Sequence, residues 1–407
     1  MNNLDIKDKT GGLEFIWANQ HIKITASRIR LQKDGGVKGE VLISTDKDVI
    51  LHRTQFNFSS SRIMTELTNK MKARFEQADW ETIIEELCYH TIERTRQATP
   101  AKELWTSEEI TKPEYLIYPI MPLKQPTVIF GEPGAGKSEL ALVFALCMIL
   151  PWVDNPLGLS VPKRSYVPLL LDYEAEDDDV KWRLKCLQVG MGLPDLHINY
   201  LRCYVPLPDG IEQIEEEANR FGAEVLIIDS LTAASGGDPK EASTALAFFN
   251  ALRRLKRTSL IIAQTSKDKE VKHKTILGST IYEYYARSVW ELRSTQEPGE
   301  DEINLALFHQ KTNISALQQP MGFKLCFNED QTTISHQDVK AIGQFLERMS
   351  ATTQILEKLK EGAFTPKELC EALELARNTT DQALKRLRAK NKVIKFGDKV
   401  GLPHGFI

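Results

Sequence analysis

The stretch Gly131-Glu-Pro-Gly-Ala-Gly-Lys-Ser138 limits what this chain can fold into more than any other. It matches G-x-x-x-x-G-K-[ST] and lies between an apolar run, Thr127 to Phe130, and an apolar stretch that starts at Leu140. A strand, a glycine loop and a helix in that order bring backbone N–H groups onto nucleotide phosphates. Candidate nucleotide contacts are therefore Gly131, Glu132, Pro133, Gly134, Ala135, Gly136, Lys137, Ser138 and Glu139. Lys137 is expected to neutralise the β- and γ-phosphates and Ser138 to hold Mg²⁺.

A loop of this kind needs an acid on a neighbouring strand. Val225-Leu-Ile-Ile-Asp229 is an apolar run ending in a carboxylate, the pattern of a buried strand that presents Asp229 at its carboxyl end. Asp229 is the expected Walker B acid and second Mg²⁺ partner. Ser230 follows it, where many ring ATPases place a catalytic Glu. A GTPase is disfavoured because position 232 is Thr and no N-K-x-D follows. The water-activating base must then come from another strand, and Leu169-Leu-Leu-Asp172-Tyr-Glu174 offers Glu174. The acidic run Glu176 to Asp179 reads as a helix N-terminus that complements the dipole.

Strands and helices alternate from Thr127 to about Ile334, which predicts an α/β domain with a parallel sheet over 127–335. Before it, residues 1–105 read as an α+β accessory unit: four strands in a meander between Leu13 and Phe58, then helices over 61–75 and 79–96 with Asp79 as N-cap. A proline-punctuated linker spans 106–126. Residues 350–407 read as three helices and a hairpin, similar to a winged helix-turn-helix, with Thr365-Pro366 starting the second helix.

At 407 residues, with 42% apolar and 27% charged side chains, the chain has the composition of a multidomain globular protein. A net charge of −4 argues against a uniformly basic nucleic-acid coat but permits local basic patches. The 6 cysteines form no C-x-x-C pair, which argues against a zinc ribbon and fits a reducing cytoplasm. The amino-terminal residues lack the apolar region of a signal peptide, and the apolar run from Leu140 to Leu150 is too short for a bilayer span. A cytoplasmic protein without membrane attachment is expected.

Glu174 at a strand end beside the phosphate loop resembles the RecA-fold ATPases, and over residues 115–330 the chain resembles the hexameric replicative helicase family typified by plasmid RepA, the AAA-type RepA/RecA group. In that family an Arg follows the strand-end Glu by nine residues, as Arg183 does here. The resemblance implies that Gln264, closing Leu260-Ile-Ile-Ala-Gln264, is a polar sensor; RecA recombinases carry Gln there and RepA relatives more often His. It also implies that Arg287, spaced from Gly278 as in the family, is an arginine finger for a neighbouring subunit, with Lys311 a second basic position. ATP, Mg²⁺ and a homo-oligomeric, hexameric ring follow from the same resemblance.

Two basic regions are candidate DNA contacts. The loop after Gln264 carries Lys267, Lys269, Lys272 and Lys274, placed where RecA relatives line the channel for single-stranded DNA. In the carboxy-terminal unit Arg377, Lys385, Arg386 and Lys395 lie on the third helix and wing, the parts that meet duplex DNA in winged helices. The combined expectation is ATP hydrolysis coupled to DNA in replication or recombination, with helicase activity leading. Two other readings stay open: a regulatory or recombinase-like ATPase that remodels protein–DNA complexes without unwinding, and an ATP-gated DNA-binding switch.

Overall fold

The computed structural model describes residues 4–32, 34–97, 100–101, 103, 112–266, 274–278, 280–347 and 349–403. Among them, no helix is long and apolar enough to cross a membrane.

The amino-terminal unit is an antiparallel sheet of 5 strands in sequence order, β1 (Leu4–Lys9), β2 (Gly12–Trp17), β3 (Ile22–Leu31), β4 (Val37–Thr45) and β5 (Ile50–Asn57). One face is covered by α1 (Ser61–Arg74) and α2 (Trp80–Arg96). Four strands were expected, and β1 is the addition. Its sequence, LDIKDK, is charged and largely exposed, so it carries little apolar alternation and is held by its ladder to β2. Asp79 caps α2 through Thr82 N–H as expected. Phe15, Trp17, Trp80 and Ile83 anchor a core separate from those of the rest of the chain.

The ribbon β6 (Tyr115–Ile117) and β7 (Met121–Pro122) leads into a mixed sheet of 9 strands. Its parallel part comprises β8 (Pro126–Gly131), β9 (Pro168–Asp172), β10 (Asn199–Arg202), β11 (Val225–Asp229), β12 (Thr258–Gln264) and β13 (Ser288–Thr295). Between them run α3 (Lys137–Ile149), α4 (Asp177–Gly190), α5 (Leu207–Arg220), α6 (Leu231–Ser235), α7 (Ala242–Leu255) and α8 (Ile281–Tyr285). The strands β14 (Glu302–Thr312), β15 (Met321–Asn328) and β16 (Gln331–Gln337) then extend the sheet antiparallel, giving the order β10-β9-β11-β12-β8-β13-β14-β15-β16. The expected parallel sheet forms the larger part; after β13 short turns replace crossover helices, and short turns permit only antiparallel pairing.

Apolar side chains fill both faces. One core gathers α3 and α4 with Leu116, Ile117, Ile120 and Met121 of the proline-punctuated stretch; the other gathers α5 and α7. The amino-terminal unit meets α5 where Arg28 Nε donates to Asp209 O (3.1 Å) and Arg30 pairs with the Asp209 carboxylate.

After β16, Val339 and Phe345 pack on Ala306 and Phe308, and α9 (Gly343–Leu346) leads to the carboxy-terminal unit. That unit contains α10 (Ala351–Lys358), α11 (Pro366–Ala372), α12 (Arg377–Ala389) and a hairpin of β17 (Ile394–Phe396) and β18 (Lys399–Gly401). Thr365 and Glu368 form a capping box that starts α11. Ile355, Leu369, Leu384, Leu387 and Val400 form the unit's own core.

Candidate functional site

Strand register brings the site together. Gln264 pairs with Gly131, and Asp229 pairs with Asp172, so β8, β9, β11 and β12 end along one edge of the sheet. Ligands bind at this carboxyl edge in open α/β sheets. A cavity of about 310 Å³ opens there, walled by the phosphate loop and by Glu174, Arg183, Asp229 and Gln264.

The loop enters α3 through Gly136, which adopts φ +77° at the helix N-cap, a left-handed conformation costly for any residue with a Cβ. Lys137 is the first helical residue, so the loop and the positive end of the helix dipole face the same cavity. The Lys137 ammonium is buried and donates to the carbonyls of Gly131 (3.1 Å) and Glu132 (2.6 Å). Burial lowers its pKa, opposed by the surrounding carboxylates of Asp229, Glu174, Glu139 and Glu132.

Ser138 Oγ donates to Asp229 Oδ2 at 2.6 Å. This contact joins the loop hydroxyl and the β11 acid, the two oxygen donors expected for Mg²⁺, and a small hard cation fits between such groups. The Asp229 carboxyl is pushed up to about 6, first by burial, then by Glu174 and Asp172, while Ser138 and Lys137 pull it down. The peptide between Asp229 and Ser230 is cis.

Glu174 stands just beyond β9, and its position is built by two neighbours. Asp172 Oδ1 accepts from the backbone N–H groups of Glu174 and Ala175 (2.9 Å each), fixing the turn. Ser230 Oγ donates to Glu174 Oε1. Ser230, which marked only a missing Glu in the sequence, holds the Glu174 carboxylate. Arg183 reaches back toward Glu139, with Nε 3.6 Å from Oε1. Ile303 and Phe327 also line the cavity, from β14 and β15. No local motif marks them; only the antiparallel extension of the sheet carries them to the loop.

Other expected residues lie elsewhere. Arg287 is exposed and makes no ion pair among the described residues. It precedes Ser288, which pairs with Thr127, whereas Gly131 pairs with Leu292. It therefore stands about 16 Å along the strand from its own phosphate loop. Its neighbour Lys311 donates to the carbonyls of Glu283 (2.7 Å), Tyr284 (2.8 Å) and Ala286 (2.7 Å), closing the end of α8. Burial and the nearby Arg287 lower the Lys311 pKa. Lys274 pairs with Glu132 of the phosphate loop, and that hydrogen bond lowers the Glu132 pKa. Lys267, Lys269 and Lys272 lie outside the described residues.

On α12, Arg377 pairs with Asp381 (3.1 Å). Asn378, Gln382 and Lys385 share its outward face, opposite the buried Thr380, Ala383, Leu384 and Leu387. Arg386 and the hairpin's Lys395 are exposed as well.

A glycine loop on β8, an acid at the end of β11 and a carboxylate beyond β9, gathered on one edge of a mostly parallel sheet, define a P-loop ATPase module. Residues 92–270 match a family model, AAA_25, described as an AAA domain. Among curated proteins none matches the chain.

Proposed function

We propose that this chain is an ATP-hydrolysing, DNA-coupled protein resembling the RepA-like helicases and working as a ring of identical subunits. The arrangement of Lys137, Ser138, Asp229 and Glu174 around one cavity supports ATP hydrolysis. Lys137 and the loop N–H groups bind the phosphates, and Ser138 and Asp229 would hold the cation. Mg²⁺, when bound, supplies charge neutralisation at the phosphates. Glu174, fixed by Ser230, accepts a hydrogen bond from the attacking water and orients it, with Gln264 beside it at the end of β12. Phe327 and Ile303 offer an apolar surface for the base.

One observation carries the ring. Arg287 is an exposed guanidinium about 16 Å along the sheet from its own phosphate loop. It cannot serve that loop, and its place at the opposite edge suits it to serve a neighbour's. DNA coupling draws on the resemblance and on the cationic α12, whose helix-and-hairpin unit is similar to a winged helix.

The test is steady-state ATPase with and without single-stranded DNA, for the wild type, Lys137→Ala, Arg287→Ala and an equimolar mixture of the two variants. Each variant alone should lose about 10²-fold or more of the rate. In the mixture, interfaces pairing an intact loop with an intact Arg287 should restore part of it. Wild-type turnover indifferent to DNA, or Arg287→Ala turnover equal to wild type, would leave a solitary P-loop switch.

A further inference from the structure

A groove runs between the carboxy-terminal unit and the central sheet. It consists of two abutting cavities, of about 620 and 370 Å³, which share Gln319, Pro320, Met349, Ser350 and Thr353. Its outer end is cationic: Arg386 of α12, Lys390 just past the helix end and Lys392 of the following turn line it. None of these three has an ion-pair partner among the described residues. The acids there are already engaged. Glu357 pairs with Lys340 (3.2 Å) and Lys360 (2.7 Å), and Asp338 accepts from Lys340 N–H (3.0 Å).

The inner end is lined by Arg293, whose charge is matched by Glu291 (2.7 Å), and by the amides of Gln310 and Gln318. His309 lines it with 8% of its surface exposed, stacked on Trp290 at 4.0 Å. Its Nδ1 accepts from Gln318 N–H (3.1 Å), which leaves the proton on Nε2, and that N–H has no partner among the described residues. Buried donors without partners are rare in folded proteins and point to a missing acceptor.

We propose that this groove binds a single strand of nucleic acid, phosphates against Arg386, Lys390 and Lys392 and bases toward the amide-lined inner end. The proposal rests on the reading that this ATPase works on DNA, and it adds a site distinct from the outward face of α12. Each cavity has the size of a small-ligand pocket, roughly 300–1,000 Å³, which takes nucleotides of one strand and excludes a duplex. Unpaired cations at one end, and amides with a charge-matched Arg293 at the other, suit a backbone with splayed bases.

The experiment is fluorescence anisotropy with the full-length protein, a labelled oligothymidylate and a labelled duplex over a range of salt concentrations. The variants are the triple Arg386→Ala/Lys390→Ala/Lys392→Ala, the groove-filling Thr353→Phe, and the outward-face Lys385→Ala, each checked for folding by circular dichroism. The triple variant should bind oligothymidylate at least about 10-fold more weakly, with the salt slope reduced by about 2, the value for three phosphates no longer neutralised on a single strand. Thr353→Phe should weaken the single strand without altering that slope, and Lys385→Ala should affect the duplex alone. A triple variant or a Thr353→Phe variant that binds oligothymidylate like wild type overturns the groove while DNA coupling stands. Wild-type protein that binds neither DNA sinks both.

Discussion

Asp229 carries a conflict that its neighbours relieve only in part. Its carboxyl sits in a poorly hydrated place near Glu174 and Asp172, and its pKa stands at about 6 against a usual 3.8. Between those values the folded chain keeps a proton that the unfolded chain has released, so stability falls as pH rises through the window. The shift is worth about 3 kcal/mol at most. Thermal unfolding of wild type and Asp229→Asn from pH 4 to pH 7 should show the wild type losing ground to the variant as pH rises. Cation binding, which needs the carboxylate, should strengthen over the same range. Ser230 poses the converse case: Ser230→Ala leaves Glu174 without its side-chain donor. A roughly 10-fold fall in kcat with KM nearly unchanged is expected, and Ser230→Thr should recover part of it. Of this site, Lys137, Ser138 and Asp229 were legible in the sequence because each sits in a short motif. Ser230, Ile303 and Phe327 were not, because their partners lie on strands far away in the chain.

Among the elements, β8 is the most tightly confined. A Cβ on Gly131 would lie 2.3 Å from the Leu292 carbonyl oxygen, so only glycine lets β8 and β13 approach where the phosphate loop begins. Gly131→Ala should cost about 1–3 kcal/mol by denaturant unfolding, and it should weaken nucleotide binding because the loop departs from this point. The apolar runs that became β9, β11 and β12 were readable as strands from their density and the acids or amides that end them. The antiparallel strands β14 to β16 were harder to foresee. Their pairing depends on turn length and neighbours, and the interval from Ser288 to Gln337 holds no long helix to mark the change from parallel order. The edge strand β1 escaped for a related reason: Lys7, Asp8 and Lys9 are exposed and carry no apolar rhythm.

For the whole molecule, the separate cores matter most. Phe15, Trp17 and Trp80 share their core with α1 and α2, and the cavity at the sheet's carboxyl edge draws nothing from it. A chain beginning at residue 112 should fold and hydrolyse ATP at a rate within about threefold of full length. It would forgo the bonds from Arg28 and Arg30 to Asp209, and partly exposed pairs of this kind contribute about 1 kcal/mol or less. Calorimetry should show one unfolding transition fewer. An inactive or insoluble product would mean that the amino-terminal unit completes the ATPase module.

Lys274 has a mechanical side as well. Ser266 N–H is bonded to Thr275 O at 3.0 Å, Leu277 N–H to Gln264 O at 2.8 Å, and Lys274 grips Glu132, one residue past Gly131. The two ends of the lysine-rich segment are therefore knotted at its neck, and the knot is tied to the phosphate loop. Lys274 and Glu132 are thus coupled at one point, so a shift of the phosphate loop at Glu132 is felt first where the chain re-enters the sheet edge at Lys274.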